Sequence, residues 1–285
     1  MVPGRPGPAV RDRHLDLPLS RPAAARDGFP GRIVCLTEET TETLYRLGAG
    51  DLVVGISAYT VRPPEARDKP KVSAFISAQY DRILALKPDL VLAFSDLQAD
   101  ISRELVKRGV AVFTFNQRSV AEILSMIRVL GGIVGYHAEA GRLARELASG
   151  LDRAREKSAK LPRRPRVYFE EWDDPMISGI RWVSELIEVA GGEDLFPEYR
   201  EQTLATGRMP TVAEVAKRDP ELILASWCGK RLKPESIRTR FASTRAVKAG
   251  RIHEIASELI LQPGPACLTD GLAELQRHIA EAAGS

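Results

Sequence analysis

The sequence predicts an α/β protein made of two similar α/β lobes that are joined by a single long backbone helix. Three observations support this prediction. Apolar, strand-like runs alternate with helical patterns in both halves of the 285-residue chain, which is typical of parallel α/β sheets. A helical period without strands extends over residues 119–162. The stretch "ILALKPDLVLAFSD" in the first half is echoed by "VAKRDPELILASWC" in the second, which indicates a duplicated unit.

The first lobe is predicted for residues 31–118. Its expected strands are the apolar, β-rich runs "RIVCL", "DLVVGIS", "DLVLAF" and "VAVFTF". Helical patterns in "TEETTETLYRLGAG" and "QADISRELVKRG" end at glycine, and a short helix around "SAQYDRILALK" ends because Pro88 cannot continue it. Residues 1–30 are rich in Pro, Arg and Ala and lack an apolar run of signal-peptide length. We therefore expect a disordered leader without an export signal.

Residues 119–162 are predicted to form the helical linker. Apolar residues keep helical spacing on both sides of the interruption "GGIVG". The part after it, at 137–160, would be one helix of about 24 residues and ~36 Å, long enough to span a domain. Its dense charge suits a helix that is wet on one side and bridges two bodies.

The second lobe, residues 163–285, is predicted to repeat the first. "RVYFEEW" is a strand like "RIVCLTE", and "SELIEVAGGEDLF" matches "TETLYRLGAGDLV" as a helix stopped by glycine. Arg32 and Arg166 are 134 residues apart, and Pro88 and Pro220 are 132 apart. Because two independent pairs have nearly equal offsets, the sequence predicts a duplicated α/β unit.

Aromatic residues are concentrated where the predicted strands end, which is where open α/β sheets bind ligands. Only 6% of the chain is aromatic, yet all three tryptophans fall in these loops. The aromatic residues at strand ends are Tyr59, Phe75, Phe94, Trp172, Trp182 and Trp227. Each tryptophan could instead cap the core of its own lobe, since tryptophan is usually buried. The equivalent placement of all three favours a cleft for a large, flat ligand.

The acidic cluster "EEWDD" raises the alternatives of an acid/base pair, a metal site and a solvated turn. Glu170 and Glu171 are adjacent on a predicted strand, so they point to opposite faces. Asp173 and Asp174 precede a proline, as expected for turn acids. A transition-metal site would prefer histidine, and only His253 is placed to approach the cleft. The common catalytic and nucleotide-binding motifs do not occur. We therefore expect no catalytic residue, no metal site and no cofactor.

Composition argues against two further classes of protein. The 41 basic and 38 acidic residues are interspersed, whereas nucleic-acid binding needs basic residues clustered on one face. There is no run of ~20 apolar residues that could insert in a membrane. Three cysteines without CxxC spacing indicate neither a disulfide framework nor a zinc knuckle. We expect a monomer.

Several of these segments resemble the substrate-binding proteins of ABC importers for vitamin B12 and iron chelates. The similar segments are "RIVCLTEETTETLYRLGAGDLVVGIS", "ILALKPDLVLA" and "DPELILASWCG", and the likeness covers roughly residues 31–282. It implies a periplasmic-binding-protein-like fold with a helical backbone and a non-catalytic binding function. "SAYTVRPP", "KVSAF" and "SGIRWVSELIEVAGGEDLFP" are most similar to cobalamin-binding members.

The resemblance implies a corrinoid in the cleft between the lobes, with a ferric siderophore or haem as the alternative ligand. Aromatic side chains would line the macrocycle and polar side chains would meet its amides. The implied ligand-binding residues are Tyr59, Phe75, Asp96, Gln98, Trp172, Trp182, Trp227 and Gln262. Arg62 and Arg181 would instead hold the carboxylates of an iron chelate or of haem.

The resemblance also implies docking on an ABC permease through one carboxylate per lobe, at Asp81 and Glu214. Both acids could equally serve the helix dipole at the start of short helices. Members of this family usually carry an export signal or a lipoprotein cysteine, whereas Cys35 lies inside the first strand. The chain as given would then be cytoplasmic, or periplasmic or at the cell surface if its start lies elsewhere.

Overall fold

The structure is a computed structural model that describes residues 28–284. It consists of two α/β lobes and two helices that connect them, so the predicted fold class is confirmed. The predicted leader, apart from its last three residues, lies outside the described part of the chain. No helix between residues 28 and 284 combines the length and the apolar character that crossing a membrane requires.

The first lobe is built on a six-stranded sheet of order β4-β3-β2-β1-β5-β6, parallel except at its β3–β4 edge. The strands are β1 (Ile33–Cys35), β2 (Val53–Ser57), β3 (Lys71–Ala74), β4 (Ser77–Ala78), β5 (Leu90–Phe94) and β6 (Val112–Phe115). The helices are α1 (Glu38–Arg46), α2 (Tyr80–Ala85) and α3 (Ala99–Lys107). Every predicted element of this lobe is present. The short β3 and β4 were not predicted, because neither has an apolar run long enough to be distinguished from a loop.

The linker consists of α4 (Val120–Ile133) and α5 (His137–Ser158). A capping box starts α4, since Ser119 Oγ accepts from the Glu122 N–H and the Glu122 carboxylate accepts from the Ser119 N–H. The 22 residues of α5 span about 33 Å, close to the predicted length. The first glycine of "GGIVG", the predicted interruption between the two helical patterns, lets α4 and α5 approach closely. A Cβ at Gly131 would lie only 2.2 Å from the Ala140 Cβ.

The second lobe has a sheet of order β11-β10-β7-β8, with β9 also pairing with β7. The strands are β7 (Arg166–Asp173), β8 (Met176–Ser178), β9 (Glu193–Asp194), β10 (Leu222–Ala225) and β11 (Ile252–Glu254). The helices are α6 (Arg181–Val189), α7 (Val212–Arg218), α8 (Pro234–Arg240), α9 (Arg245–Lys248), α10 (Ser257–Ile260) and α11 (Leu272–Ala283). α6 starts three residues before the predicted segment and ends before its glycine pair.

The internal repeat appears in the strand order and in its side-chain contacts. β1 lies between parallel β2 and β5, and β7 lies between parallel β9 and β10. The Arg32 guanidinium donates to the carbonyl that ends α2, at 2.7 Å, and that of Arg166 donates to the carbonyl that ends α7, at 3.0 Å. The backbone N–H groups of the two arginines are bound by Asp89 and Glu221, each at 3.0 Å.

One continuous apolar cluster joins the two lobes. It contains buried side chains from β1 and β5 of the first lobe, from α4 and α5, and from β7, α6 and α11 of the second lobe. Because the apolar core does not stop at either end of the linker, the lobes are packed on the helices as one body.

Candidate ligand-binding site between the lobes

A cavity of about 270 Å³ lies between the lobes, lined by loops at the carboxyl ends of their strands. Its aromatic lining is Tyr59, Phe75, Phe94, Trp172 and Trp182, and its aliphatic lining includes Leu97, Ile177, Ile180, Leu204 and Leu261. The polar side chains are fewer: Glu38, Asp96, Arg118, Glu171, Thr203, Arg208, Cys228 and Gln262. The predicted aromatic cleft is therefore a real cavity of this fold.

Most of the residues proposed from the sequence line this cavity, namely Tyr59, Phe75, Asp96, Trp172, Trp182 and Gln262. They differ in how much they offer to a ligand. Tyr59 is exposed and Trp172 is half-buried, with its indole N–H donating to the Asp174 carbonyl at 3.0 Å. Trp182 is only 3% exposed and donates to the Ile260 carbonyl at 2.9 Å, so it serves the core as well as the cavity wall.

Two other proposed residues are buried outside the cavity lining. Gln98 is 0% exposed, and its side chain bonds the Phe94 N–H at 2.9 Å and the Phe75 carbonyl at 2.6 Å. It therefore positions two loops whose aromatic side chains line the cavity. Trp227 packs with Tyr168 and Phe241 in a core of the second lobe. For this tryptophan the structure therefore shows the alternative stated above, a side chain that caps the core of its own lobe.

The two arginines proposed for an anionic ligand are also outside the cavity lining. Arg62 forms ion pairs with Asp270, at 2.6 Å, and with Glu42, at 3.7 Å, in a separate groove. Arg181 begins α6 and donates to Glu185 at 2.8 Å. Both follow strand ends in the chain, but the Arg62 side chain turns towards carboxylates that are distant in the sequence, and that of Arg181 turns to the acid one turn further along its own helix.

Two arginines that were not predicted do line the cavity, and each is paired with an acid. Arg208 is 1% exposed and bonds both oxygens of Glu171, at 2.8 and 3.2 Å. Arg118 bonds Asp96 at 3.1 Å, with its guanidinium carbon 5.1 Å from the centre of the Phe94 ring. Arg118 follows the last strand of the first lobe, so its strand-end position was a usable signal. Arg208 lies in an irregular segment that does not follow a predicted strand, so the sequence contains no comparable signal for it.

Glu38 and Cys228 complete the polar lining. Burial, with a smaller effect of the Glu258 carboxylate, raises the pKa of Glu38 to about 7. Partial exclusion of water raises the pKa of the Cys228 thiol to about 11, and the Glu38 and Glu171 carboxylates add to this shift. The thiol is therefore protonated at neutral pH, which does not suit a nucleophile.

The acids of "EEWDD" are divided among different partners. Glu170 and Glu171 point to opposite faces of β7, as predicted. Glu170 is buried and bonds Arg240 at 2.7 and 2.9 Å, away from the cavity. Asp173 pairs with Lys230 at 2.5 Å. These carboxylates therefore serve separate ion pairs rather than an acid/base dyad.

The two proposed docking acids are exposed and occupy equivalent positions in the lobes. Asp81 lies in the first turn of α2, and its fully exposed carboxylate is 3.6 Å from Arg108. Glu214 lies in the first turn of α7, where its Oε2 accepts from the Thr211 N–H and hydroxyl, both at 2.7 Å. These helices precede β5 and β10, the strands of the repeated segment.

This architecture, two α/β lobes on a helical backbone with an aromatic-lined cavity between them, defines the class of two-lobed solute-binding proteins. The sequence profile of the periplasmic binding protein family matches residues 33–259, and the chain belongs to this family. The resemblance stated from the sequence is thereby confirmed. Proteins of this family bind a small molecule without chemical conversion, and those of ABC importers work with a permease.

Known relatives and structures differ in the ligands that their names give. The ABC transporter substrate-binding lipoprotein YvrC of Bacillus subtilis is 28% identical over 260 residues, covering 88% of this chain and 80% of the relative. A cobalamin-binding protein of Halobacterium salinarum is 26% identical over 279 residues, covering 90% and 73%. The periplasmic heme-binding protein RhuT from Roseiflexus superposes with a TM-score of 0.76 at 22% identity, covering 88% and 98%. This last likeness concerns the fold.

Proposed function

We propose that the protein binds a corrinoid of the cobalamin type in the cavity between its lobes and delivers it to an ABC permease. The observation that carries the proposal is the charge balance of the cavity. Both lining arginines already have carboxylate partners, Arg208 with Glu171 and Arg118 with Asp96. Among the described lining residues, no lysine or arginine is left to neutralise an anionic ligand.

An anionic ligand would have to break one of these pairs. Haem propionates or the carboxylates of an iron chelate would compete with Glu171 for Arg208, leaving a half-buried glutamate without its counter-ion. Separating a pair of this kind is costly, because the remaining charge is uncompensated. A corrinoid is a broad, mostly neutral macrocycle fringed with amides, so it needs aromatic contact and hydrogen-bonding groups instead. Trp172, Tyr59 and Gln262 offer both kinds of contact.

The size of the cavity favours a ligand that is held at the edge of the cleft. About 270 Å³ is slightly below the usual range for pockets that enclose a small molecule. A macrocycle would place one face against the aromatic lining and leave its periphery near the rim. The relationship to the cobalamin-binding protein of Halobacterium salinarum supports the same ligand class.

Haem is the second candidate because of Tyr59. Its phenol is exposed in the cavity lining, and a tyrosine oxygen is one of the groups that bind haem iron in proteins. The likeness of fold to the heme-binding protein RhuT is compatible with this candidate.

Parallel titrations with cyanocobalamin and with haemin separate the two candidates. We expect calorimetry to give one cyanocobalamin per chain, with quenching of tryptophan fluorescence because Trp172 lies at the site. We expect haemin to bind at least tenfold more weakly. Stoichiometric haemin binding without cobalamin binding would reject the corrinoid proposal and support haem.

Docking on the permease through Asp81 and Glu214 is part of the proposal. Their exposure and their equivalent helix positions suit contacts with basic residues on two related permease subunits. Changing both to alanine should abolish uptake in a reconstituted transport assay while leaving cyanocobalamin affinity intact. Asp100→Ala, which removes an exposed acid from the first turn of α3, is the control. Normal uptake by the double variant would reject this docking mode.

A further inference from the structure

We propose that His253, His278 and Glu281 form a binding site for a divalent transition-metal ion of the Zn²⁺ type, on the second lobe and separate from the cavity. His253 lies on β11, and His278 and Glu281 lie on α11. One ligand atom from each residue falls within a group whose members are all within 4.8 Å of one another. The three residues do not line the cavity between the lobes.

The fold brings these side chains together in a way that suits a chelate. A spacing of three residues places His278 and Glu281 on one face of α11. His253 reaches the same face from the edge strand, and the two imidazole rings are stacked with their centres 4.0 Å apart. Ligands from two elements of secondary structure would let an ion tie the edge strand to the last helix.

An unsatisfied polar atom gives independent support for a ligand at this place. His278 is only 3% exposed, and its Nδ1 is buried without a hydrogen-bond partner among the described residues. Buried polar atoms normally have a partner, so each exception calls for an explanation. A metal ion bound at Nδ1 would supply the missing partner, with Glu281 Oε2 3.8 Å away as a second ligand atom.

A cation of the chain itself already lies among these groups. Arg277 Nη2 is 2.8 Å from His278 Nε2 and 2.6 Å from Glu274 Oε2, and Nη1 is 3.6 Å from Glu281 Oε1. The guanidinium is half-exposed, so it can swing into solvent when an ion binds. His278 Nε2–H could then donate to Glu274, now 3.7 Å away, as the outer carboxylate partner that metal-binding histidines usually have.

The donor atoms define the class of ion. Two imidazole nitrogens and one carboxylate oxygen suit Zn²⁺, Co²⁺, Ni²⁺ or Cu²⁺, whereas Mg²⁺ and Ca²⁺ prefer oxygen ligands only. Zn–N bonds of about 2.0–2.1 Å require tetrahedral donors roughly 3.3 Å apart, so the two imidazole rings, now stacked, must rotate until their nitrogen lone pairs converge on one point. Three protein ligands leave a fourth position for water.

Zinc titrations of the full chain, with any affinity tag removed and after treatment with chelator, test the site. We expect one Zn²⁺ per chain by calorimetry and a higher melting temperature in excess Zn²⁺. His253→Ala and Glu281→Gln should each weaken binding by at least tenfold, whereas Arg277→Gln should strengthen it because a competing cation is removed. His137→Ala, which changes an exposed histidine at the start of α5, is the control.

Two results would overturn the proposal. One is a titration in which the parent protein shows no saturable Zn²⁺ binding at Zn²⁺ concentrations up to about 100 µM. Any weaker binding would not indicate a specific site. The other is equal affinity of the parent and His253→Ala, since an ion held elsewhere would not depend on this residue. Neither result affects the cobalamin proposal, because the two sites share no residue.

Discussion

Glu171 and Arg208 face each other at the wall of the cavity, where both carboxylate oxygens accept hydrogen bonds from the guanidinium, at 2.8 and 3.2 Å. The Ser178 carbonyl accepts a further bond from the same guanidinium, and the Ile180 N–H donates to the carboxylate at 3.0 Å. This network removes the positive charge of a buried arginine from the electrostatics of the cavity. Under the proposed function, selection of a neutral ligand over an anionic one would depend on this pair.

Glu171→Gln should change ligand selection. Glutamine keeps the shape of the side chain but leaves the Arg208 charge without its counter-ion, so haemin affinity should rise about tenfold, or 1.4 kcal/mol. Cyanocobalamin affinity should change by less than about threefold, a smaller effect than the tenfold change expected for haemin. The protein should also lose roughly 3 kcal/mol of stability, because one partner of a buried pair is removed. Titrations with both ligands, together with chemical unfolding, measure these effects.

Glu198→Gln is the control for net charge. It removes one acid that pairs with Arg218 on the surface, outside the cavity lining. Equal haemin affinities for the Glu171 and Glu198 variants would show that the cavity pair does not control selection.

Trp172→Ala should weaken cyanocobalamin binding by at least tenfold and cost less stability than Trp227→Ala, because its half-buried ring packs only at the margin of the second-lobe core. The ring is half-buried at the cavity and contacts Lys230, whose Nζ is 5.0 Å from its centre, so a ligand can cover the remaining face. Trp227→Ala should instead cost about 3–5 kcal/mol of stability, because that side chain lies in a core. Fluorescence titration and urea unfolding of both variants distinguish these roles. Unchanged binding by Trp172→Ala would place the ligand elsewhere.

Glu39→Gln should flatten the dependence of stability on pH between about pH 7 and 8. Burial raises the pKa of Glu39 to about 8, despite a 2.6 Å hydrogen bond from the Thr37 hydroxyl. The folded state thus holds a proton that the unfolded state releases. The associated stability is complete below the ordinary pKa of 4.5 and is lost as pH rises through about 8. Stability should therefore fall as pH rises through this window, by roughly 1 kcal/mol per pH unit, because the folded state is only partly protonated close to its pKa.

Urea unfolding at several pH values in this window measures the slope. Glu38→Gln is the comparison. Because burial raises the pKa of Glu38 only to about 7, this carboxyl group is mostly ionised in the folded state above pH 7. The substitution should therefore change the slope between pH 7 and 8 less than Glu39→Gln does. Parallel stability profiles for the parent protein and Glu39→Gln would mean that Glu39 is ionised in the folded state.

Ligand binding should leave the overall shape of the protein nearly unchanged. Besides the stiff α5, first-lobe side chains bond the final segment of the second lobe: Gln117 donates to the Pro263 carbonyl at 3.0 Å, and Glu42 accepts from the Ala266 N–H at 3.2 Å. Small-angle scattering should give radii of gyration that agree within about 1 Å with and without cyanocobalamin. A larger decrease on binding would indicate closure of the lobes.

The sequence by itself determined the α/β repeat, the long helix and the class of site. Local hydrophobic periods, glycine stops and two equivalent prolines are enough for this, because each acts within a few residues of the chain. Lys87 and Asp219, the residues before Pro88 and Pro220, have the same positive φ of 46°. The two repeated segments are therefore similar in backbone conformation as well as in sequence. Parallel strands align their carboxyl ends, which brought Tyr59, Phe75 and Trp172 to one cavity.

Only the tertiary structure decided which strand-end residues face the cavity and which charges remain there. Trp227 and Gln98 lie near the carboxyl ends of strands as Trp172 does, but their side chains turn into the interior, an orientation that depends on packing against distant elements. Arg208 reaches Glu171 across 37 positions of the chain, and Arg62 reaches Asp270 across 208. Such pairings follow from the folded path of the backbone rather than from any local pattern, so the carboxylate partners of the cavity arginines could not be derived from the sequence.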